Sequence, residues 1–308
     1  MDEQQGESPL SPNRATQNHE ISPESEENES NTQLSLWPPE PQTPVPEPIL
    51  SPGDSALPPP SPPPSPEPPW SLADLFAFVL FAVFSFLLAN VLAVAVFSEL
   101  RHRFFENISL EEALTATPSV VTMQTVWEIL WLAFIYVTVS KKYQRRFWQA
   151  LKWVRDPHPA VIYLAGGAGL AVGAQLTMNL FPTEKHLPIE KLFTSPESGY
   201  LLAVFGICVA PFVEELVFRG FFYPVFERLW GLAAAVILTA LLFAAIHVPQ
   251  LSGGWEEITA IFVVGLIFSY CRGKTRSLLP PFLMHLAYNA ALFVSLYFST
   301  DRFRNLKG

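Results

Sequence analysis

Residues 211–220 read Pro211-Phe212-Val213-Glu214-Glu215-Leu216-Val217-Phe218-Arg219-Gly220 and place three charges inside an apolar run, Tyr200–Phe222. A charge at the centre of a bilayer costs roughly 2.5 to 3.5 kcal/mol, so charges there mark functional sites. Adjacent helical residues point about 100° apart, so the two glutamates cannot share one face. Glu215 and Arg219 are four apart with the acid first, the favoured order for a helical ion pair. We therefore expect Glu215 to pair with Arg219 and Glu214 to be left for another task.

The run around this stretch is one of seven apolar runs along the chain. The first has no charged residue and can cross a hydrocarbon core of about 30 Å at about 1.5 Å per helical residue. Lipid leaves unpaired backbone amides uncompensated, which favours helices. The candidate spans are Leu75–Phe97, Val120–Ser140, Ala160–Phe181, Tyr200–Phe222, Leu229–Ile246, Ile258–Cys271 and Leu278–Thr300. With 50% apolar and 15% charged residues, the composition excludes a soluble globule. We predict an all-α polytopic transmembrane bundle of about seven to eight helices.

The first 69 residues differ from the rest of the chain. They hold 19 of the 30 prolines and 12 of the 28 acidic residues but one basic residue, Arg14, for a net charge of −11. With almost nothing apolar to bury, this segment is predicted to be a disordered acidic Pro-rich tail, followed by a transmembrane domain over residues 70–308. The remaining chain is near neutral, with 18 basic and 16 acidic residues. The acidic balance of the whole chain comes from the first 69 residues and indicates no basic or acidic partner, and we expect no nucleic-acid partner.

The basic residues between spans indicate the orientation of the chain. They crowd the second and sixth connections, at Lys141, Lys142, Arg145, Arg146, Lys152, Arg155, Arg272, Lys274 and Arg276. Loops rich in lysine and arginine face the cytoplasm. We therefore predict an integral multi-pass membrane protein whose N-terminal tail is cytoplasmic.

Two later spans carry polar residues at helical spacing. The fifth run ends Phe243-Ala244-Ala245-Ile246-His247, with Phe243 one turn before His247. The seventh begins at Pro280-Pro281 and places His285 and Asn289 four apart, hence on one face. Taken alone, His247 is typical of a histidine at a helix end. The pair of His285 and Asn289, taken alone, is typical of an interhelical contact. Together with Glu214, the three spans supply a carboxylate, two imidazoles and an amide.

This set of side chains favours hydrolysis. A buried carboxylate near two imidazoles can take a proton from water, and histidine and asparagine donors can hold the oxyanion that forms on an amide. The chain has no helical HExxH motif, although Glu214, His247 and His285 could hold a divalent metal such as zinc. The cofactor is therefore a divalent metal or none. Gly166-Gly167-Ala168-Gly169 lies within an apolar span and indicates close helix packing, not a phosphate-binding loop.

The three motifs together resemble those of the CPBP family, the CAAX proteases and bacteriocin-processing enzymes, which include type II CAAX prenyl endopeptidases. The signatures EExxxR, FxxxH and HxxxN stand here at Glu214–Arg219, Phe243–His247 and His285–Asn289, within residues 195–300. The resemblance implies an intramembrane endopeptidase that cleaves a membrane-anchored protein or peptide. It further implies that Glu214 and His247 activate water and that His285 and Asn289 stabilise the oxyanion. Glu215, Arg219 and Phe243 would support the site.

Two other functions compete with this hypothesis. One is a non-catalytic membrane scaffold or bacteriocin-immunity-type protein that keeps the fold. The other is a proton-coupled carrier, suggested by Gln124 and Glu128 one turn apart on the second span. Two inverted, broken halves would favour a carrier, and the sequence shows none. Glu128 is instead interpreted as a polar contact toward the bundle interior.

Overall fold

The computed structural model describes residues 68–104, 109–180 and 187–305. Every element assigned in these ranges is helical, which confirms the all-α prediction. The predicted tail falls almost wholly on residues 1–67, outside the described ranges, so it stays a prediction. The α-helices are α1 (Leu72–Phe104), α2 (Leu110–Thr115), α3 (Thr117–Tyr136), α4 (Phe147–Ala150), α5 (Ala160–Leu180), α6 (Pro196–Val204), α7 (Ala210–Glu214), α8 (Tyr223–His247), α9 (Trp255–Thr275) and α10 (Leu279–Ser299). A 3₁₀-helix spans Pro188–Leu192, and π-helices span Val137–Lys142, Phe205–Val209 and Glu215–Phe222.

The described residues include six helical stretches long and apolar enough to cross a membrane. They are Leu72–Leu100, Thr117–Lys142, Ala160–Leu180, Pro196–His247, Trp255–Thr275 and Leu279–Ser299. Large apolar side chains such as Phe76, Phe84 and Phe298 are exposed on their outer surfaces, as expected where lipid replaces water as the solvent. The chain is an integral multi-pass membrane protein.

The fourth stretch, Pro196–His247, is 52 residues long and contains two of the predicted spans. Its helical course breaks at Gly231, which has φ 78° and ψ 178°, a conformation open essentially to glycine alone. Division there gives seven apolar segments, the number of runs in the sequence. The fourth run was predicted to end at Phe222, but the helix continues about two turns further, to the break. The added turns include the charged residues Glu227 and Arg228, and Arg228 donates to the carbonyls of Pro68 and Trp70.

The sixth predicted span, Ile258–Cys271, is too short because it was read from apolar residues alone. Helix α9 runs over 21 residues, Trp255–Thr275, and has acidic residues in its first turn and basic residues in its last. These charges complement the helix dipole at each end, so the helix extends beyond its apolar centre.

Close helix packing at Gly167 positions one of the motif helices. The main helix pairs are α1 with α3, α5 with α10, and α8 with α9. A Cβ atom at Gly167 would overlap the carbonyl of Met284 on α10, so only glycine permits this approach. The packing predicted for the Gly166–Gly169 stretch is therefore confirmed at Gly167. Since Met284 directly precedes His285, this contact fixes the start of the HxxxN motif.

Candidate active site

A fully buried ion pair between Glu215 and Arg219 lies at the centre of the site. The Arg219 Nη1 to Glu215 Oε1 distance is 3.0 Å, and both side chains are 0% exposed. This is the contact that their spacing of four predicts. Arg219 also donates to the Ser269 hydroxyl at 3.3 Å and to the Gly265 carbonyl at 3.2 Å, both on α9. Its guanidinium lies 4.3 Å from the centre of the Phe243 ring, a cation–π contact. The EExxxR motif is thereby joined to α8 and α9.

Glu214 faces two histidines on other helices. It is the last residue of α7, and its neighbour Glu215 begins the π-helix Glu215–Phe222. Glu214 Oε1 lies 3.9 Å from His247 Nε2, and Glu214 Oε2 lies 3.6 Å from His285 Nε2. The Glu214 side chain is 14% exposed, whereas that of Glu215 is closed off. Both distances exceed a direct hydrogen bond, and at such separations a bridging water is the arrangement to consider.

Hydrogen bonds at the opposite ring nitrogens orient both imidazoles. His247 Nδ1 lies 2.7 Å from the Phe243 carbonyl, and His285 Nδ1 lies 2.9 Å from Glu215 Oε1. A carbonyl and an arginine-paired carboxylate can only accept, so we assign the proton to Nδ1 in each ring. In the neutral rings, each Nε2 therefore presents a lone pair toward Glu214. Phe243 of the FxxxH motif makes two kinds of contact. Its carbonyl accepts from His247, and its ring packs against both histidines.

Asn289 is oriented by a different partner. Its Nδ2 donates to the Gly206 carbonyl at 2.7 Å, in the π-helix Phe205–Val209. An amide nitrogen carries two hydrogens, so one N–H remains for another acceptor. The structure thus brings Glu214, His247 and His285 together directly, while Asn289 lies one turn after His285 on α10.

Glu128 on α3 is a further carboxyl that the predicted site left out. It is 3% exposed and accepts a hydrogen bond from Gln124 Nε2 at 3.1 Å, the interior polar contact that its spacing predicted. Its Oε2 has no hydrogen-bond partner among the described residues. The signal in the sequence is a single acidic residue in an otherwise uncharged span.

Two imidazole nitrogens and a carboxylate are donor types that zinc accepts. However, no group of three or more His, Cys, Asp or Glu side chains in the described ranges is arranged to hold a metal ion.

Comparison with known proteins confirms the resemblance carried by the motifs. Residues 196–291, which contain all three motifs, match the type II CAAX prenyl endopeptidase Rce1-like family. An uncharacterized 24.3 kDa protein of Escherichia coli is 32% identical over 132 residues, which cover 41% of this chain and 56% of that protein. The match thus spans little more than half the length of this relative. No solved structure matches the chain. Residues 196–291, the segment that carries Glu214, His247 and His285, are therefore similar to the type II CAAX prenyl endopeptidase Rce1-like family.

Proposed function

We propose that the protein is an intramembrane endopeptidase that hydrolyses a peptide bond in a membrane-associated protein or peptide. The observation that carries the proposal is the position of Glu214 opposite the Nε2 atoms of His247 and His285, at 3.9 and 3.6 Å. A water in this gap can donate to the carboxylate and to an imidazole lone pair at once. Such contacts increase the nucleophilicity of its oxygen.

In the first step, Glu214 takes a proton from the water as the water oxygen bonds to the substrate carbonyl carbon. The carbonyl electron pair moves onto the oxygen and forms the oxyanion. The carboxyl of Glu214 then gives its proton to the leaving nitrogen as the C–N bond breaks. The reaction consumes one water and releases a carboxylic acid and an amine.

The two histidines have different partners and, in this proposal, different roles. His247 is backed by a neutral carbonyl, so its ring stays neutral and orients the water. His285 is backed by the Glu215 carboxylate, which stabilises the ring when Nε2 takes up a proton. When His285 Nε2 has taken up a proton from bulk water before the attack, it can donate to the oxyanion together with the second N–H of Asn289, and it keeps this proton through the cycle. Arg219 keeps Glu215 charged and in place for this purpose.

The test is cleavage of a membrane-anchored reporter by the reconstituted full-length protein. Glu214→Gln keeps the size of the side chain but cannot accept the proton, so we expect cleavage to fall by about 10²- to 10⁴-fold. Glu111→Gln, which alters an exposed carboxyl on α2, is the matched control and should cleave normally. Cleavage retained in Glu214→Gln would remove this residue from the mechanism. A biological function that survives Glu214→Gln and His285→Ala would favour the non-catalytic scaffold or immunity-type protein.

A further inference from the structure

Two of the π-helices are each followed, two residues after their end, by a proline. In the first, Phe205–Val209, the Ala210 amide donates to the Phe205 carbonyl, five residues back. At this spacing the next amide, that of residue 211, would donate to the Gly206 carbonyl. Residue 211 is a proline and has no N–H, so this helical bond cannot form. The Gly206 carbonyl therefore needs another donor.

The second of these π-helices, Glu215–Phe222, repeats the pattern. The Tyr223 amide donates to the Phe218 carbonyl, again five residues back. The next donor would be residue 224, and its acceptor would be the Arg219 carbonyl. Residue 224 is also a proline, so this bond cannot form either. A backbone carbonyl left unpaired away from water is destabilising, so a replacement donor is expected at each carbonyl.

Side chains from two other helices supply the replacement donors. Asn289 on α10 donates from Nδ2 to the Gly206 carbonyl at 2.7 Å. Arg272 on α9 donates from Nε to the Arg219 carbonyl at 3.2 Å. Arg272 is 4% exposed, and its guanidinium lies 5.5 Å from the centre of the Tyr223 ring, next to the second proline. The two ends of the segment 206–219 are thus bound to different helices.

We propose that Arg272 and Asn289 are positioning residues that hold the segment 206–219 at both ends. Glu214 lies between the two attachment points, so they keep its carboxylate opposite the histidines. A reacting group misplaced by about 1 Å costs about 10²-fold in rate. Asn289 holds the segment with one N–H and keeps the other for the oxyanion. The cleavage readout rests on the proposed function, whereas unfolding tests the backbone contacts by themselves.

Restoring the missing N–H tests the proposal. Arg272→Met removes the replacement donor, and Pro224→Ala supplies an amide for the same carbonyl. In mixed micelles, we expect Arg272→Met to raise the equilibrium constant for unfolding of the full-length protein by at least about tenfold, because the Arg219 carbonyl is left unpaired. In the Pro224→Ala protein, the effect of the same substitution should be at least about fivefold smaller.

Cleavage of the membrane-anchored reporter gives a second readout. In Arg272→Met, kcat per folded molecule should fall by at least about tenfold while KM stays within about twofold, because Glu214 is displaced and the substrate contacts are kept. Pro224→Ala/Arg272→Met should recover most of the lost kcat. A residue with a purely structural role would lower the folded fraction and leave kcat per folded molecule unchanged, which would overturn the positioning role.

Pro211→Ala/Arg272→Met is the matched control, because its added amide lies at the other π-helix. The two effects on unfolding should multiply to within about twofold in this variant. Lys274→Met, which removes an exposed cation from the same end of α9, should leave both readouts within about twofold. Equal effects of Arg272→Met with and without Pro224→Ala would overturn the proposal. Equal recovery in the matched control would overturn it as well.

The variants of Pro211 and Asn289 test the other end of the segment. Pro211→Ala should reduce the effect of Asn289→Ala on unfolding by at least about fivefold, and an undiminished effect would overturn the role of Asn289 as a positioning residue. Cleavage should stay low in this double variant, because the donor to the oxyanion is still absent. Recovered cleavage would remove Asn289 from the proposed chemistry and support its positioning role.

A further comparison applies if Arg272→Met does not fold. Pro224→Ala/Arg272→Met should then fold, because alanine at residue 224 can donate to the Arg219 carbonyl. Pro211→Ala/Arg272→Met should remain unfolded, because its added amide is at the wrong carbonyl. The same behaviour in both double variants would overturn the proposal.

Discussion

Replacing Arg219 with methionine tests the buried ion pair on which the site depends. Methionine keeps much of the side-chain length but removes the charge and all donors. The substitution deletes the bonds to Glu215, Ser269 and Gly265, and it leaves the fully buried Glu215 carboxylate without its cation. Removing one partner of a buried pair costs about 3 to 5 kcal/mol, chiefly because the remaining charge is uncompensated. We expect a loss of that size in the free energy of unfolding.

A second substitution separates the effect of the uncompensated Glu215 charge from a simple loss of packing. In Glu215→Gln/Arg219→Met no uncompensated charge remains, although the amide oxygen can still accept from His285. The double variant should therefore be more stable than the sum of the two single losses predicts, by about 1 to 3 kcal/mol. Cleavage should stay low in it, because the negative charge behind His285 is gone.

The assay is reversible unfolding of the purified protein in mixed micelles, with the free energy compared between variants. Arg155→Met, at an exposed arginine, is the matched control and should change stability by less than about 0.5 kcal/mol. A loss below about 1 kcal/mol in Arg219→Met would refute the reasoning. Strictly additive losses in the double variant would refute it as well.

Three further outcomes are expected. Gly167→Ala pushes α5 away from the Met284 carbonyl. We therefore expect the free energy of unfolding to fall by about 1 to 3 kcal/mol in the same assay, with slower cleavage. Unchanged stability would contradict the contact between Gly167 and Met284. Asp156, outside the spans, has its pKa lowered chiefly by the Tyr163 hydroxyl. The stabilisation from Asp156 is present above the ordinary carboxyl pKa and lost as pH falls through the lowered value, so Tyr163→Phe should cost about 1 kcal/mol at neutral pH and progressively less in acid. An equal cost at all pH values would exclude this cause. Finally, chelation should leave cleavage unchanged, since each proposed step uses side chains alone; loss of cleavage with recovery on adding zinc would require a metal-based mechanism.

The local part of the site was predictable from the sequence because helical periodicity fixes which neighbours meet. Spacing alone predicted that Glu215 pairs with Arg219 and that Glu214 is left apart. It also put Phe243 one turn before His247, although it did not predict that the Phe243 carbonyl fixes the ring.

The tertiary part was not predictable by the same reasoning. Helical spacing does not predict that the ends of α7 and α8 and the start of α10 meet at the gap between Glu214 and the two histidines. The bond from Asn289 to Gly206 likewise joins positions 83 residues apart. The family resemblance supplied the expectation of a common site, and the distances come from the packing of separate helices.

Hydropathy identified the number of apolar segments better than their bounds. A conformation peculiar to glycine, at Gly231, ends the fourth segment. The segment extends past its apolar run, and Arg228 in this extension donates to the carbonyls of Pro68 and Trp70. The π-helical turns at Phe205–Val209 and Glu215–Phe222 have no pattern in the apolar residues that would indicate them. Such turns are rare and lie frequently at functional sites.

The central claim is that Glu214, His247 and His285 act together on one water. Side chains that act as a unit show strongly non-additive losses when they are removed. The most direct measurement is therefore the cleavage rate of Glu214→Gln, His285→Ala and the double variant, in the same reconstituted membranes. The account predicts a double variant within about threefold of the slower single variant, whereas losses that multiply would mean that the two residues act independently.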